Sequence, residues 1–375
     1  MKRFLLFCLV LIPFSFCRSE NNITSDSIPV PADSLAPLHG NWFQQLVRTG
    51  FQINDPRISY PRFPRFCLKV YNWGDRTFNS YDPAYVRSTG KNWKISVKSD
   101  NWNQSYRYVF SLFDQNNVSV RSRVSSDLGI SLNFMAVGIS YTRALDELFY
   151  GKKNKRNSLD FSFTCSRFSV ELLSQQTEGG AYIDRYGDYE NGKFLHMPFD
   201  GLSQSQTSVT AFYFFNHNRY SQSAAYAYSK YQLRSAGSWI GGFRWAHRRI
   251  VMDFSDLPDD MKEANPDFPL INTFNYNEYS LLGGYAHNFV LNRHFLYNIT
   301  AMPCVGYRNS ELHTDSRGRR EMISANMIGR MSLTYNNRML FCGIVAKFNG
   351  GFILNKNFSF FNSTQYATAI VGVRF

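Results

Sequence analysis

Residues 295–307 of this chain read FLYNITAMPCVGY. Phe295, Tyr297, Ile299, Ala301, Val305 and Tyr307 occupy alternate positions, with Asn298, Thr300, Cys304 and Gly306 between them. Successive side chains of a β-strand point to opposite faces, so the segment has one apolar face and one polar, small-residue face. The pattern returns in 321–335, where Ile323, Ala325, Met327, Met331, Leu333 and Tyr335 oppose Ser324, Asn326, Arg330, Ser332 and Thr334. It returns again at the end, with Ala367, Ala369, Val371, Val373 and Phe375 against Thr368, Gly372 and Arg374. These runs exceed the usual strand of about five or six residues. They suit a bilayer crossing, which takes about nine to eleven tilted residues. A soluble sandwich also alternates, but the length of the runs favours an all-β, antiparallel transmembrane barrel.

Composition agrees. Of 375 residues, 17% are aromatic and 18% charged, which excludes a disordered chain. The mean hydropathy of -0.33 is too polar for a bundle of membrane helices. Beyond the N-terminus no unbroken apolar run nears the length such a helix needs. Aromatic residues in excess, without long apolar runs, are what a lipid-facing alternation produces.

Lys2 and Arg3 followed by the apolar stretch Phe4–Phe16 form a secretory signal peptide over 1–17, with cleavage expected near Cys17–Ser19. Phe16 is too large for a lipoprotein processing site. Residues 18–40 read as a flexible linker with Pro29, Pro31 and Pro37. Residues 41–90 read as an irregular N-terminal segment, either a plug or a periplasmic lid. Within it, 41–49 suits a short helix capped by Asn41 and Gly50. Pro56, Pro61, Pro64 and Pro83 argue against a regular helix or central strand over 51–90. The barrel is assigned to 91–375. Cys67, Cys165, Cys304 and Cys342 are too widely spaced for a zinc or redox motif and read as packing residues.

Alternation marks twelve strands: 104–113, 117–125, 127–142, 157–173, 206–217, 222–231, 235–253, 273–290, 293–308, 320–336, 338–351 and 363–375. An even number returns both termini to the periplasm and puts the long connections 254–272, 309–319 and 352–362 on the outer side. The 174–205 stretch is too long for a periplasmic turn, and 91–100 is compatible with a further strand, so ten or fourteen strands stay open. A phase slip between Cys165 and Arg167 reads as a β-bulge. Tyr297, Tyr307, Tyr335 and Trp239 are expected in the interfacial girdles.

The most distinctive words are YPRFPRFCLKVYNWGDRTFNSYD (60–82), TGKNWKIS (89–96), FNHNRYSQSAAYAYSKYQLRSAGS (215–238) and the YNNR turn (335–338). Together they resemble an uncharacterised Bacteroidetes-type family of exported proteins, a domain of unknown function taken to form outer-membrane barrels. The resemblance runs roughly from Trp42 to Phe375. It implies the architecture and the bacterial outer membrane, and brings no activity, substrate or catalytic residue. Phe375 likewise resembles the C-terminal signal by which outer-membrane barrels are read by the barrel-insertion machinery.

The alternation places Arg107, Arg121, Arg123, Arg167, Arg244, Arg248, Arg308, Arg330 and Arg374 on the lumen face, against Asp160, Glu171 and Glu278. Two readings follow. The arginines pair with acids and plug carbonyls in a filled interior, or they line a passage for an anionic solute. The net charge of +13 would suggest nucleic acid in another compartment. In an exported chain it points to anionic lipid head groups or sugars, with no nucleic-acid partner. No metal motif or cofactor loop occurs, so none is assigned. The acidic stretch 253–267 lacks the EF-hand spacing. A lipid-hydrolysing barrel is the alternative, with Ser221 near His217 in an expected outer turn, but a Ser–His pair without an orienting group is weak. The expected role is a monomeric small or plugged channel, transport accessory or surface-exposed binding protein. A soluble periplasmic sugar-binding β-protein is the third class.

Overall fold

The computed structural model describes residues 37–49, 53–78, 80–109, 117–145, 155–264, 269–310, 321–354 and 359–375. The signal peptide and most of the linker lie outside the described residues. Two compact units divide the chain, residues 1–77 and 78–375.

In the first unit, α1 (Trp42–Arg48) starts at a capping box in which Asn41 and Gln44 satisfy each other's backbone N–H groups. The second helix, α2 (Arg62–Phe78), corrects the expectation of irregular structure. Pro61 precedes the helix and Pro64 falls in its first turn, where an N–H has no intrahelical acceptor to lose. The rest of the segment up to Phe78 contains no proline, and nothing there opposes helix. Asp55 and Arg57 pair at 2.6 Å just before it, and the Arg57 hydrogen bond holds the Asp55 carboxyl below the usual carboxylate range.

The second unit is a closed antiparallel barrel. Its walls are β2 (Trp93–Val109), β4 (Ser125–Phe134), β5 (Val137–Ala144), β6 (Lys155–Thr164), β7 (Phe168–Glu178), β10 (Leu202–Phe214), β12 (Ala236–Asp253), β13 (Ile271–Val290), β14 (Phe295–Ser310), β15 (Glu321–Asn336), β16 (Leu340–Leu354) and β17 (Ser359–Arg374). The first and last pair from Lys94↔Arg374 to Val109↔Ser359, and Trp93 and Phe375 exchange backbone hydrogen bonds at 3.0 and 3.1 Å. Closure removes every free edge from the wall. Phe375 is thus the last rung of the seam.

Twelve strands were expected and twelve close the barrel, but five of the expected ranges are differently built. The first strand begins at Trp93 rather than 104. Residues 127–142 form two strands around a tight turn at Met135–Ala136. Residues 157–173 likewise form two, and the phase slip at Cys165–Arg167 is their turn rather than a bulge. These two gains offset two losses. Residues 117–125 hold β3 (Asn117–Ser122), which leaves the wall, and 222–231 folds into the lumen.

Outward positions form an apolar belt with aromatic borders. Trp239, Tyr297 and Tyr335 lie toward the end that carries the termini, and Tyr307 toward the other, all on the outward phase. Ten steps separate Tyr297 from Tyr307. At about 3.4 Å per residue on a strand tilted about 40°, they stand about 26 Å apart along the axis, the height of a hydrocarbon band. Between such borders Leu281 is 71% exposed, next to Val305. Leu281→Arg is therefore expected to lower stability in lipid vesicles by about 2–4 kcal/mol in urea titrations. A soluble protein would tolerate arginine at so exposed a site, and an unchanged midpoint would contradict the lipid-facing assignment.

Candidate functional site: a lumen closed at three levels

The end carrying Trp93 and Phe375 is filled by the connection between β10 and β12. Ser221 caps a single helical turn, α3 (Gln222–Ala225), by accepting from the Ala224 N–H at 3.2 Å, and the whole turn is buried. Inward residues of the wall hold it. Asn288 donates to the Ser221 carbonyl at 3.0 Å, and Tyr226 donates to Asn298 at 2.7 Å. Lys94 donates to the Ala227 carbonyl, and Arg374 donates to that of Tyr228 at 3.0 Å. A short strand within the connection, β11 (Lys230–Gln232), pairs with β1 (Val86–Ser88), so the lead-in to the barrel is part of the same plug. Tyr81 packs beside Ser221, and burial pushes its hydroxyl up to about 12, so it stays neutral.

The waist is closed by contacts across the lumen. Glu171 on β7 and Arg330 on β15 meet in a fork at 2.7 and 2.8 Å. Tyr366 on β17 donates to Gln175 on β7 at 3.1 Å. Nearer the far end, Tyr106 on β2 donates to Gln204 on β10. In each case four strands intervene on one side and six on the other, so the partners face each other from opposite walls.

The far end is covered by a small sheet of β3, β8 (Ala181–Tyr186) and β9 (Met197–Phe199). Its inner side chains, Val118, Val120, Ile183 and Phe199, form one apolar cluster with the inward wall residues Ile250, Met252, Ile353 and Phe360 and with Phe254, Leu257 and Met261. The expected long periplasmic stretch 174–205 is mostly this lid, at the opposite end. The long connections after β12 and β14 emerge at the lid end too, whereas the expected connection 352–362 is largely strand, since β16 runs to Leu354 and pairs there with Ser359 at the start of β17.

Of the arginines assigned to the lumen, Arg244, Arg248, Arg308, Arg330 and Arg374 point inward, with Asp160, Glu171 and Glu278. Four do not. Arg107 is exposed on the outward phase, because β2 is phased by buried Lys94, Gln104 and Tyr106. Arg121 lies on the lid, 3.1 Å from Asp184, and Arg123 is exposed just after β3. Arg167 stands in the turn between β6 and β7. The inward cations missed in the sequence are Lys94, Lys98, Arg156 and Lys347, and the missed acids are Asp100 and Asp127. Arg156 pairs with Asp127 at 2.8 Å and lies 3.5 Å over the Trp102 ring. Lys98 meets Asp160 at 3.2 Å and Asp100 at 3.7 Å. The described wall therefore holds nine inward cations against five acids. Ser221 and His217 sit in the plug rather than an outer turn, and the Ser221 hydroxyl caps α3.

The family profile described as Domain of unknown function (DUF4421) matches residues 80–375. The chain belongs to the DUF4421 family. The match starts at the plug lead-in and leaves out α1 and α2, so the DUF4421 region is the barrel unit with its plug and lid. No curated protein matches the sequence. Among solved structures, the outer membrane protease OmpT from Escherichia coli is 8% identical, with 77% of this chain and 98% of that one covered at a TM-score of 0.35. The P. putida toluene transporter TodX is 9% identical, covering 80% and 98% at 0.27. OmpT of Vibrio cholerae is 7% identical, covering 74% and 98% at 0.27. In this DUF4421 barrel, Cys165, Cys304 and Cys342 are free thiols.

Proposed function

We propose that the chain is a monomeric outer-membrane barrel that does not conduct as it stands, and that it serves as a surface-exposed binding protein or transport accessory. The observation that carries this reading is the bracing of the lumen by three contacts from opposite walls, two at the waist and one nearer the lid. Apart from the plug itself, the turns at the terminus end are short and the long connections lie at the lid end, which favours a periplasmic plug and an outward lid. Membrane lipids and the insertion machinery, which would read Phe375, are then its partners. Export is directed by the signal peptide 1–17, which is then cleaved near Cys17–Ser19. No chemistry is assigned to the chain, and an enzyme acting on lipids would need a site other than Ser221.

Purified protein in planar bilayers is expected to give no steady conductance. A stable open channel in the unmodified protein would overturn this reading. A second reading, an anion conduit held shut, is favoured by the cation excess in the lumen. It predicts anion-selective openings after deletion of 218–234 combined with Glu171→Gln and Arg330→Gln. Silence of that variant, or cation selectivity, would remove it.

A further inference from the structure

We propose that the inner wall of β12 and β13 binds a phosphate-class oxyanion on Arg244, Arg248 and Tyr276. The site concerns what the interior contains, and stands whether or not the barrel conducts.

Charge matching leads to it. Every inward acid is engaged: Asp127 by Arg156, Glu171 by Arg330, Glu278 by Arg308, and Asp100 and Asp160 by Lys98. Lys94 and Arg374 donate to plug carbonyls. Arg244, Arg248 and Lys347 are left with neither an ion pair nor a hydrogen bond among the described contacts, and of these Arg244 and Arg248 each bury an Nε without an acceptor. Glu278 attracts both arginines through space but hydrogen-bonds to neither, since its oxygens accept from Arg308, Ser280 and Asn326.

The two arginines lie four residues apart on the inward phase of β12. Tyr276 stands directly opposite Arg248 in register, and its hydroxyl is also buried without a partner. The Arg308 guanidinium lies 3.8 Å from the centroid of the Tyr276 ring, which fixes that ring and adds positive charge beside it. A guanidinium keeps its charge at every pH the fold meets. Leaving the buried Nε–H of such a group unpaired carries a desolvation penalty. The two guanidinium forks are donors only, and the hydroxyl can donate beside them. They call for a negatively charged acceptor with several oxygens, because each fork takes two oxygens at once. A tetrahedral oxyanion meets these donors from several directions, whereas a planar carboxylate offers a single edge.

The test uses full-length protein in detergent, dialysed into buffer free of phosphate and sulfate. One portion is denatured by heat and the released ions are measured by ion chromatography. A chloroform extract of the same portion is assayed for phosphorus, which separates a lipid headgroup from a free ion. The remainder is titrated calorimetrically with inorganic phosphate. Either retained oxyanion near one per chain or saturable phosphate binding is expected. Binding should weaken at least about tenfold in Arg244→Gln/Arg248→Gln. Should that variant fail to fold, Tyr276→Phe is expected to weaken binding by about threefold or more. No released oxyanion together with no saturable heat overturns the proposal. So does equal phosphate binding by the folded variants.

Discussion

Arg330→Met is expected to lower the stability of the barrel by about 3–5 kcal/mol, the usual effect of removing one member of a buried ion pair. Arg330 is the single cation bonded to both oxygens of Glu171, and it crosses the lumen to reach them. Its loss leaves a carboxylate facing the empty side of a fork in a confined interior. It also removes the guanidinium that lies 4.9 Å from the centroid of the Phe212 ring. The measurement is the urea midpoint in lipid vesicles, read from the gel mobility of folded and unfolded forms. The double variant Arg330→Met/Glu171→Met separates two meanings of the result. If the penalty comes from the stranded carboxylate, the double variant recovers most of the loss, since apolar replacement of a buried pair is often neutral. If it equals the single variant, the pair itself braces the wall. A single variant with an unchanged midpoint would show that the walls do not meet at the waist.

How much of this was legible in the sequence depends on the range of the interaction involved. Alternation is local, so the runs around Ile299, Met331 and Val371 fix their own faces, and β13–β17 are read almost to the residue. Of the lumen charges on them, Glu278, Arg308, Arg330 and Arg374 come out correctly because apolar neighbours on both sides set the phase, and Lys347 on β16 is missed. The N-terminal half of the barrel is harder. In β2 the outward positions Ser99, Asn101, Asn103 and Ser105 are as polar as the inward ones, so the phase cannot be taken from hydropathy and Arg107 goes to the wrong face. Its true phase is set by Lys94, buried only because a distant carbonyl at Ala227 receives it. The 222–231 segment alternates like a strand, yet its apolar side chains are satisfied inside the barrel rather than by lipid. Local pattern states that a residue will be buried and is silent on what buries it. The helix α2 was missed for another reason: its prolines were weighed by number, when their position in the first turn was what mattered.

The plug offers the second large effect. Arg374 is fully buried one residue from the end of the chain. It donates to the Tyr228 carbonyl at 3.0 Å, to the Asn337 carbonyl at 2.5 Å and to the Asn336 side chain. It thereby ties the plug to the last strand and to the turn beside it. Hydrogen bonds from a charged donor contribute about 1.5–3 kcal/mol each. Of these only the bond to Tyr228 reaches the plug, so its loss shifts the docking equilibrium of the plug by about tenfold or more, at about 1.4 kcal/mol per factor of ten. Arg374→Met is expected to make Arg219, Lys230 and Arg234 accessible to trypsin while the barrel keeps its folded mobility on gels. The unmodified protein should resist cleavage there, because Gln232 ties this stretch to the Arg219 and Arg234 carbonyls and β11 is paired with β1. Arg338→Met in the exposed neighbouring turn is the control and should leave cleavage unchanged. Resistance in Arg374→Met equal to that of the unmodified protein would show that the plug is held by its packing around Tyr220 and Tyr226, with the C-terminal arginine contributing little. Cleavage at 219–234 with no gain in conductance would in turn show that the waist, rather than the plug, keeps the barrel shut.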